Sequence, residues 1–191
     1  MRIVGGRLRG RLLRAPASRA IRPTSERLRE SIFDILWHRH PDLLEGARVV
    51  DLFAGSGALG LEALSRGARF ALFVDDSAEA RALLRGNVEA LGLGGVTRIW
   101  RADATKLGKA PAGPPFTLAF LDPPYGKDLA GPALAALAAG GWLAQDALCV
   151  AEEAAKAEIA APDGFAIEDE RIYGDTKVMF LRRAAAENTA Y

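Results

Sequence analysis

The chain has 191 residues, half of them hydrophobic, and its charges nearly cancel to a net +1. This length suits one well-packed domain and is short for two, so we expect a single domain over residues 1–191. The single cysteine excludes an intrachain disulfide, and no apolar run approaches the roughly 20 residues that a membrane-crossing helix needs, so we expect a soluble, cytoplasmic protein. We also expect a monomer, although no feature of the sequence specifies the oligomeric state.

The first 30 residues are strongly basic, although the whole chain is not. They contain nine Arg and two acidic residues, a net charge of 9 − 2 = +7, and the remaining 161 residues sum to −6. Within residues 1–24, Arg alternates with apolar residues and glycine, which predicts a small β-hairpin in an arm that contacts nucleic acid. A solvated basic tail is the alternative interpretation. The candidate contact residues are Arg7, Arg9, Arg11, Arg22, Thr24 and Arg27.

The segment 25–183 alternates the patterns of helices and strands. Its first helix carries an apolar stripe, formed by Leu28, Ile32, Ile35 and Leu36. Strands are predicted near 47–53, 69–75, 96–101, 116–122 and 146–152, helices near 57–66, 78–91 and 128–139, and a final antiparallel hairpin over 165–172 and 177–182. This order predicts an α/β fold with a doubly wound, mostly parallel, Rossmann-like sheet of seven strands. Residues 184–191 are predicted to form a frayed tail.

A glycine-rich turn follows the first of these strands. Residues 51–60, DLFAGSGALG, place three glycines at a strand-to-helix junction, where a ligand can approach the backbone closely. Residues 55–60 also match the dinucleotide fingerprint G-x-G-x-x-G, and Asp75, after the next strand, is positioned to accept ribose hydroxyls. Asp51 precedes the glycines, however, and its carboxylate would repel a pyrophosphate and attract a cationic amino group. An amino-acid-bearing nucleoside such as S-adenosylmethionine fits these features better than a dinucleotide.

A second motif, Asp122-Pro123-Pro124-Tyr125, closes the apolar run 116–121. The Asp122 carboxylate and the Pro123 carbonyl form a pair of acceptors that can hold both N–H groups of a nucleobase amino group and direct its lone pair at an electrophile. The prolines stiffen the turn, and Tyr125 offers a flat face on which a base can stack. The alternative is an ordinary turn at the end of a strand.

Four further residues have less specific interpretations. Asp103, after the third strand, is positioned to accept a hydrogen bond from an adenine amino group, and a helix N-cap explains it equally well. Cys149 lies in a strand-like run and is interpreted as a buried hydrophobic residue. His38 and His40 lie at a helix end and are too few for a metal site, so no metal is predicted.

The glycine-rich turn, Asp75 and the Asp-Pro-Pro-Tyr motif, in this order and spacing, resemble the class I S-adenosylmethionine-dependent methyltransferases that act on exocyclic amino groups. The N-terminal sequences MRIVGGRLRGR and IRPTSERLRESIFDIL (residues 21–36) resemble, more narrowly, the bacterial 16S rRNA (guanine-966) N2-methyltransferases. The resemblance extends through residues 51–65, the region of Asn87 and the motif at 122–125. Relatives often carry Glu where this chain has Asp75-Asp76, so either acid is a candidate for the ribose.

This resemblance implies methyl transfer from S-adenosylmethionine to the N2 atom of a guanine in 16S rRNA, within a small subunit or an assembly intermediate, with S-adenosylhomocysteine as the product. The implied catalytic residues are Asp122, Pro123, Pro124 and Tyr125. The implied cofactor-binding residues are Asp51, Phe53, Ala54, Gly55, Ser56, Gly57, Asp75, Asp76, Asp103 and Ala104.

Three alternatives remain open at the level of sequence. A DNA adenine or cytosine amino-methyltransferase uses the same kind of turn, although 191 residues leave no room for a separate target-recognition domain. An NAD(P)-dependent oxidoreductase is supported by the glycine spacing alone. A non-catalytic ribosome-assembly protein would retain the fold and bind RNA.

Overall fold

A computed structural model of the protein describes residues 1–15, 25–157 and 160–184. Its strands form one seven-stranded sheet in the order β3-β2-β1-β4-β5-β7-β6. The strands are β1 (Arg48–Leu52), β2 (Phe70–Val74), β3 (Thr97–Trp100), β4 (Phe116–Leu121), β5 (Leu143–Ala154), β6 (Phe165–Tyr173) and β7 (Thr176–Arg183). The helices are α1 (Glu26–Arg39), α2 (Ala58–Ser65), α3 (Ala78–Ala90) and α4 (Ala130–Ala139).

The predicted α/β fold and its order of elements are confirmed. Strands β3, β2, β1, β4 and β5 pair in parallel, and β7 pairs antiparallel with both β5 and β6. The strands β1, β2 and β4 are almost continuously buried, as expected for a parallel sheet covered on both faces. Strand β5 begins three residues earlier than predicted, because Leu143 pairs with Phe116 ahead of a bulge.

Helices cover both faces of the sheet. One apolar core joins helices α1, α2 and α3 to one face, and Phe73, Phe120 and Val150 contribute to it from the strands. The second core packs α4 and Trp142 against the other face, where Cys149 lies. Cys149 is fully buried, and this burial raises the pKa of its thiol to about 12, so the thiol is unreactive.

The predicted N-terminal β-hairpin is not confirmed. Residues 1–15 double back through a 3-10 turn at Gly6–Leu8, and they show a single isolated antiparallel bridge between Arg2 and Leu12. Residues 1–3 and 10–13 do pair through three backbone hydrogen bonds, from Ile3 N to Arg11 O, from Gly10 N to Ile3 O and from Leu13 N to Met1 O. The pairing does not continue as regular strands, because the N–H groups of Val4 and Gly5 each bond the Glu62 carboxylate at 2.8 Å. The segment is therefore held against the core by side chains of α2 and is not a solvated tail.

The predicted boundaries have different outcomes. The division into arm, core and tail stays a prediction. Arg22 and Thr24 lie outside the described residues. Ala184, predicted to begin the frayed tail, donates its N–H to the Gly164 carbonyl at 2.8 Å, and residues 185–191 lie outside the described part of the chain.

In the described ranges, none of the helices is both long and apolar enough to traverse a bilayer.

Candidate active site

Three carboxylates lie side by side at the carboxyl edge of the sheet. Val74, Leu121 and Ala151 occupy one row across the sheet together with Leu52, and the next residues along their strands are Asp75, Asp122 and Glu152. Side chains alternate between the two faces of a sheet, so these acids share a face with Phe73, Phe120 and Val150. That is the face covered by helices α1 to α3.

The glycine loop after β1 owes its shape to left-handed backbone at Phe53, Gly55 and Gly57, with φ angles of 57°, 56° and 79°. Strand alternation would place Phe53 on the same face as Asp51. The left-handed conformation, uncommon for a residue with a side chain, instead turns its ring against the second core. The space above Asp51 therefore stays open for a ligand.

Acidic side chains brace this loop from inside the protein. The Asp75 carboxylate accepts hydrogen bonds from Gly55 N and Ser77 N, both at 2.9 Å. The buried Asp51 accepts one from Gly60 N at 2.9 Å, at the N-terminus of α2. Two carboxylates thus fix the loop and the start of the helix.

Burial raises the pKa of Asp51 well above its ordinary range; the hydrogen bond from Gly60 opposes this rise, and the nearby charges of Asp122 and Asp75 add to it. Each effect has a simple origin, because an ionised carboxylate loses hydration when buried and is repelled by other carboxylates. A cation bound above Asp51 would favour its ionised form.

Asp103 lies at the exposed rim of the site. Its carboxylate accepts hydrogen bonds from Thr105 N at 2.9 Å and Thr105 Oγ1 at 2.7 Å, and these bonds lower its pKa. Asp103 caps a turn, and no helix follows this turn. Asp103 is therefore a turn cap and not a helix N-cap. Its predicted contact with adenine stays a prediction.

The proline turn, residues 122–125, is held in place by contacts with β7 and β5. The Tyr125 hydroxyl hydrogen-bonds Thr176 Oγ1 at 2.8 Å, at the start of β7, and Gly126 N donates to Glu153 Oε1 at 3.4 Å. Pro123 is buried, whereas Pro124 and Tyr125 are exposed. The Tyr125 ring thus stands at the surface with its hydroxyl fixed.

One cavity of about 1080 Å³ unites these parts. It is lined by all four predicted catalytic residues, by Arg27, and by nine of the ten predicted cofactor residues. The exception is Gly57, where an added Cβ would collide with the Leu84 side chain, so this glycine allows close packing against α3. Arg7, Arg9 and Arg11 are exposed and lie outside the lining.

The cavity has two halves that meet at Asp122. The glycine-loop half contains Asp51, the loop itself, Asp75 and the turn at Asp103, and the proline-turn half contains residues 122–125, Glu152 and Thr176. The charged residues of the lining are six acids and two bases, namely Asp51, Asp75, Asp76, Asp103, Asp122, Glu152, Arg27 and Lys127. This acidic lining suits a cationic ligand and disfavours a pyrophosphate, so the residues fit S-adenosylmethionine better than a dinucleotide. Across the ranges that the structure describes, no cluster of His, Cys, Asp and Glu could hold a metal ion.

Sequence reasoning missed Glu152 and Thr176. The sequence of β5 does contain a signal for Glu152. Side chains alternate along a strand, so Glu152 lies on the same face as Val150, which is the face of the site. Thr176 has no local signal, since its role depends on the hairpin bringing it to a turn 51 residues earlier in the chain.

The N-terminal arm reaches the glycine loop through Asn87. The Asn87 side chain bonds Arg14 N at 2.8 Å and Arg14 O at 3.1 Å, and it also donates to Ser56 O at 2.9 Å. Behind the arm, fully buried Glu62 pairs with buried Arg29, at 3.5 Å, and with Arg66, at 2.8 Å. The described end of the basic arm therefore lies beside the cavity.

A parallel sheet with an antiparallel C-terminal hairpin, a glycine loop after β1 and an acid after β2 defines an α/β methyltransferase. The chain is 35% identical, over 100% of its length and 94% of the relative, to ribosomal RNA small subunit methyltransferase D of Escherichia coli K12. It is 31% identical to the protein of the same name from Haemophilus influenzae, over 91% of the chain and 89% of the relative. Its structure matches that of Escherichia coli yhhF with a TM-score of 0.82 at 32% identity, covering 97% of this chain and 99% of the other.

Residues 1–182 match the family described as "Conserved hypothetical protein 95". The chain belongs to this family, and the resemblance recognised in its sequence is confirmed.

Proposed function

We propose that this protein transfers a methyl group from S-adenosylmethionine to the exocyclic N2 atom of a guanine in small-subunit ribosomal RNA. The observation that carries the proposal is that the glycine loop and the proline turn line the same acidic cavity. Relatives over the whole chain are named for methylation of small-subunit ribosomal RNA.

The glycine-loop half holds the cofactor. The acid Asp51 lies beneath the loop, where it favours the cationic amino group of the methionine part, and Asp75 or Asp76 accepts the ribose hydroxyls. Each Asp75 oxygen already accepts one backbone N–H and retains a lone pair for a ribose hydroxyl. Asp103 and Ala104 line the region left for the adenine.

The proline-turn half holds the target base. The Asp122 carboxylate and the Pro123 carbonyl accept the two N–H groups of N2, so that its lone pair is directed at the cofactor. Tyr125 presents its ring to the base, and the bond to Thr176 fixes the hydroxyl end of this side chain.

When bound, the cofactor supplies an electrophilic methyl group, whose C–S electron pair returns to the sulfur as the N–C bond forms, leaving neutral S-adenosylhomocysteine. The Asp122 carboxylate accepts the proton that the methylated amino group then releases, and passes it to water. Orientation by Asp122 and Pro123 lowers the barrier by up to about 7 to 11 kcal/mol in favourable cases.

The exposed arginines of residues 1–15 bind the phosphates of 16S rRNA in a small subunit or an assembly intermediate, and the protein acts in the cytoplasm as a monomer. The Asn87 bridge supports this role, because it places Arg14 beside the glycine loop. Arg27, in the cavity lining, extends the basic surface to the site.

The arm can be tested by charge reversal. In R7E/R9E, RNA affinity should fall, and the slope of log affinity against log salt should decrease by about 2, one for each lost phosphate contact. R69E/R98E changes two exposed arginines, one before β2 and one on β3, and should leave both quantities unchanged. Equal salt slopes for the two variants would contradict the role of the arm.

The reaction is tested with labelled S-adenosylmethionine and small ribosomal subunits that lack the modification. The RNA is digested to nucleosides, and the labelled product is identified by mass spectrometry, with DNA as a parallel substrate. N2-methylguanosine is the expected product, and mapping then gives its position. Transfer to DNA alone, or no transfer to either substrate, would overturn the proposal.

A further inference from the structure

Glu152 is a buried carboxylate in the proline-turn half that the methyl transfer does not use. Its side chain is 1% exposed, yet the residue lines the cavity. Leu121 and Ala151 are cross-strand partners, so Asp122 and Glu152 follow them as neighbours, on strands about 4.8 Å apart. The sheet therefore places a second carboxylate beside the one that holds the amino group.

An ion pair inside the core explains only part of this arrangement. Burial lowers the pKa of Arg29, and the negative charges of Glu62, Glu26 and Glu152 oppose that shift, in this order. The largest electrostatic contribution thus comes from Glu62, which lies 3.5 Å from Arg29. The charge of Glu152 has a smaller effect on the pKa of Arg29 than the charge of Glu62 has. Glu152 also lines the cavity, which the ion pair does not explain.

Guanine differs from 2-aminopurine at N1, the ring nitrogen bonded to the carbon that carries N2. Its N1 carries a hydrogen, whereas 2-aminopurine has an unprotonated N1 that can only accept. An ionised carboxylate is an acceptor with about four lone-pair sites, so Glu152 can receive N1–H while it keeps other partners. The same carboxylate would repel an unprotonated N1, and such unpaired groups give strong discrimination.

Building on the proposed function, we propose that Glu152 accepts the N1–H of the target base and selects guanine over bases with an unprotonated N1. Asp122 and Pro123 hold N2 on the side of the glycine loop, and Glu152 holds N1 on the side of β5. The two neighbouring carboxylates together read the edge of guanine that carries both donors.

The test compares two substrates with one enzyme preparation. Small subunits are reconstituted with 16S RNA that carries either guanine or 2-aminopurine at the mapped position, and kcat/KM is measured for each. The unaltered protein should prefer guanine by at least about 100-fold, because a site that binds a donor rejects an analogue without it. In Glu152→Gln this preference should fall at least tenfold, because the amide can donate to the unprotonated N1 and attracts N1–H less strongly.

The ratio of the two kcat/KM values does not depend on how much of the enzyme is folded, since a loss of folded enzyme lowers both values equally. Glu89→Gln is the control: it neutralises an exposed acid on α3 that does not line the cavity, and it should keep the wild-type ratio. An unchanged ratio in Glu152→Gln, or no preference in the unaltered protein, would overturn the inference alone. Absence of transfer to guanine by the unaltered protein would overturn the proposed function and this inference with it.

Discussion

The two halves of the cavity are built on different principles. The glycine-loop half is held together by its own neighbourhood: Asp75 binds backbone two residues ahead and 20 residues behind, and Asp51 binds backbone nine residues ahead. The proline-turn half depends on parts that are distant in the chain, because Tyr125 relies on Thr176 and the turn lies beside β5. The glycine-loop half is therefore a backbone loop fixed by nearby carboxylates. The proline-turn half is a group of side chains that the sheet brings together from distant parts of the chain.

This difference predicts separable defects. Changes in the glycine-loop half should weaken cofactor binding and loosen the local structure. Changes in the proline-turn half should reduce turnover or RNA binding while the cofactor still binds with normal affinity.

The largest effect is expected for Asp122→Ala. Loss of the acceptor that orients N2 should reduce kcat by at least about 1000-fold, since positioned groups of this kind contribute on that scale. Cofactor affinity, measured by calorimetry, should change less than about twofold, because Asp122 faces the base. Asp122→Asn retains one acceptor oxygen and should keep measurable activity. Full activity of the alanine variant would remove Asp122 from the mechanism.

The opposite defect, weaker cofactor binding, is expected for Asp75→Ala. This change leaves Gly55 N and Ser77 N without their acceptor and removes a candidate ribose contact, so the dissociation constant of the cofactor should rise about 100-fold. Asp76→Ala is the matched control, because Asp76 is the exposed neighbour in the same turn. A larger effect in Asp76→Ala would assign the ribose to Asp76.

The contrast between the halves also explains what the sequence could predict. Asp51, Gly55 and Asp75 belong to a local pattern of strand, turn and helix, and such patterns are visible in sequence. The proline turn is visible for the same reason. Glu152 and Thr176 were missed because their roles depend on strand register and on the hairpin, which bring distant residues together.

The arm shows the same limit. Alternating Arg, glycine and apolar residues predicted a hairpin, but the backbone pairing is limited to residues 1–3 and 10–13, and the donors at Val4 and Gly5 bond Glu62. The pattern identified a structured segment correctly. It could not indicate that a buried carboxylate on α2 would bind the next two backbone donors and so limit the strand pairing.

The cofactor should bind with a dependence on pH that originates at Asp51. Burial raises the pKa of this carboxyl in the free protein, so its ionisation destabilises the fold as pH rises through the raised value. A cationic ligand favours the ionised form and lowers that pKa. Affinity should therefore increase with pH, by up to about tenfold per unit, between the pKa of the bound state and the raised pKa of the free state.

The corresponding measurement is calorimetry in two buffers of different ionisation enthalpy, which gives the number of protons released on binding. Wild-type protein should release more protons than Asp51→Asn, whose amide does not titrate. Equal proton release would show that the ligand does not interact with the Asp51 charge.

The smallest expected effect tests whether the hairpin positions Tyr125. Thr176→Val removes the partner of the tyrosine hydroxyl with little change in shape, and one such hydrogen bond contributes about 1 kcal/mol. The KM for RNA should rise about 2- to 10-fold, while kcat changes less and cofactor affinity stays constant; Thr176→Ser should restore the wild-type KM. Tyr125→Phe removes the same bond from the other side, so the double variant should be no worse than either single variant. Additive defects would mean that the two hydroxyls act separately, and the proline-turn half would then not depend on the C-terminal hairpin for the position of its aromatic ring.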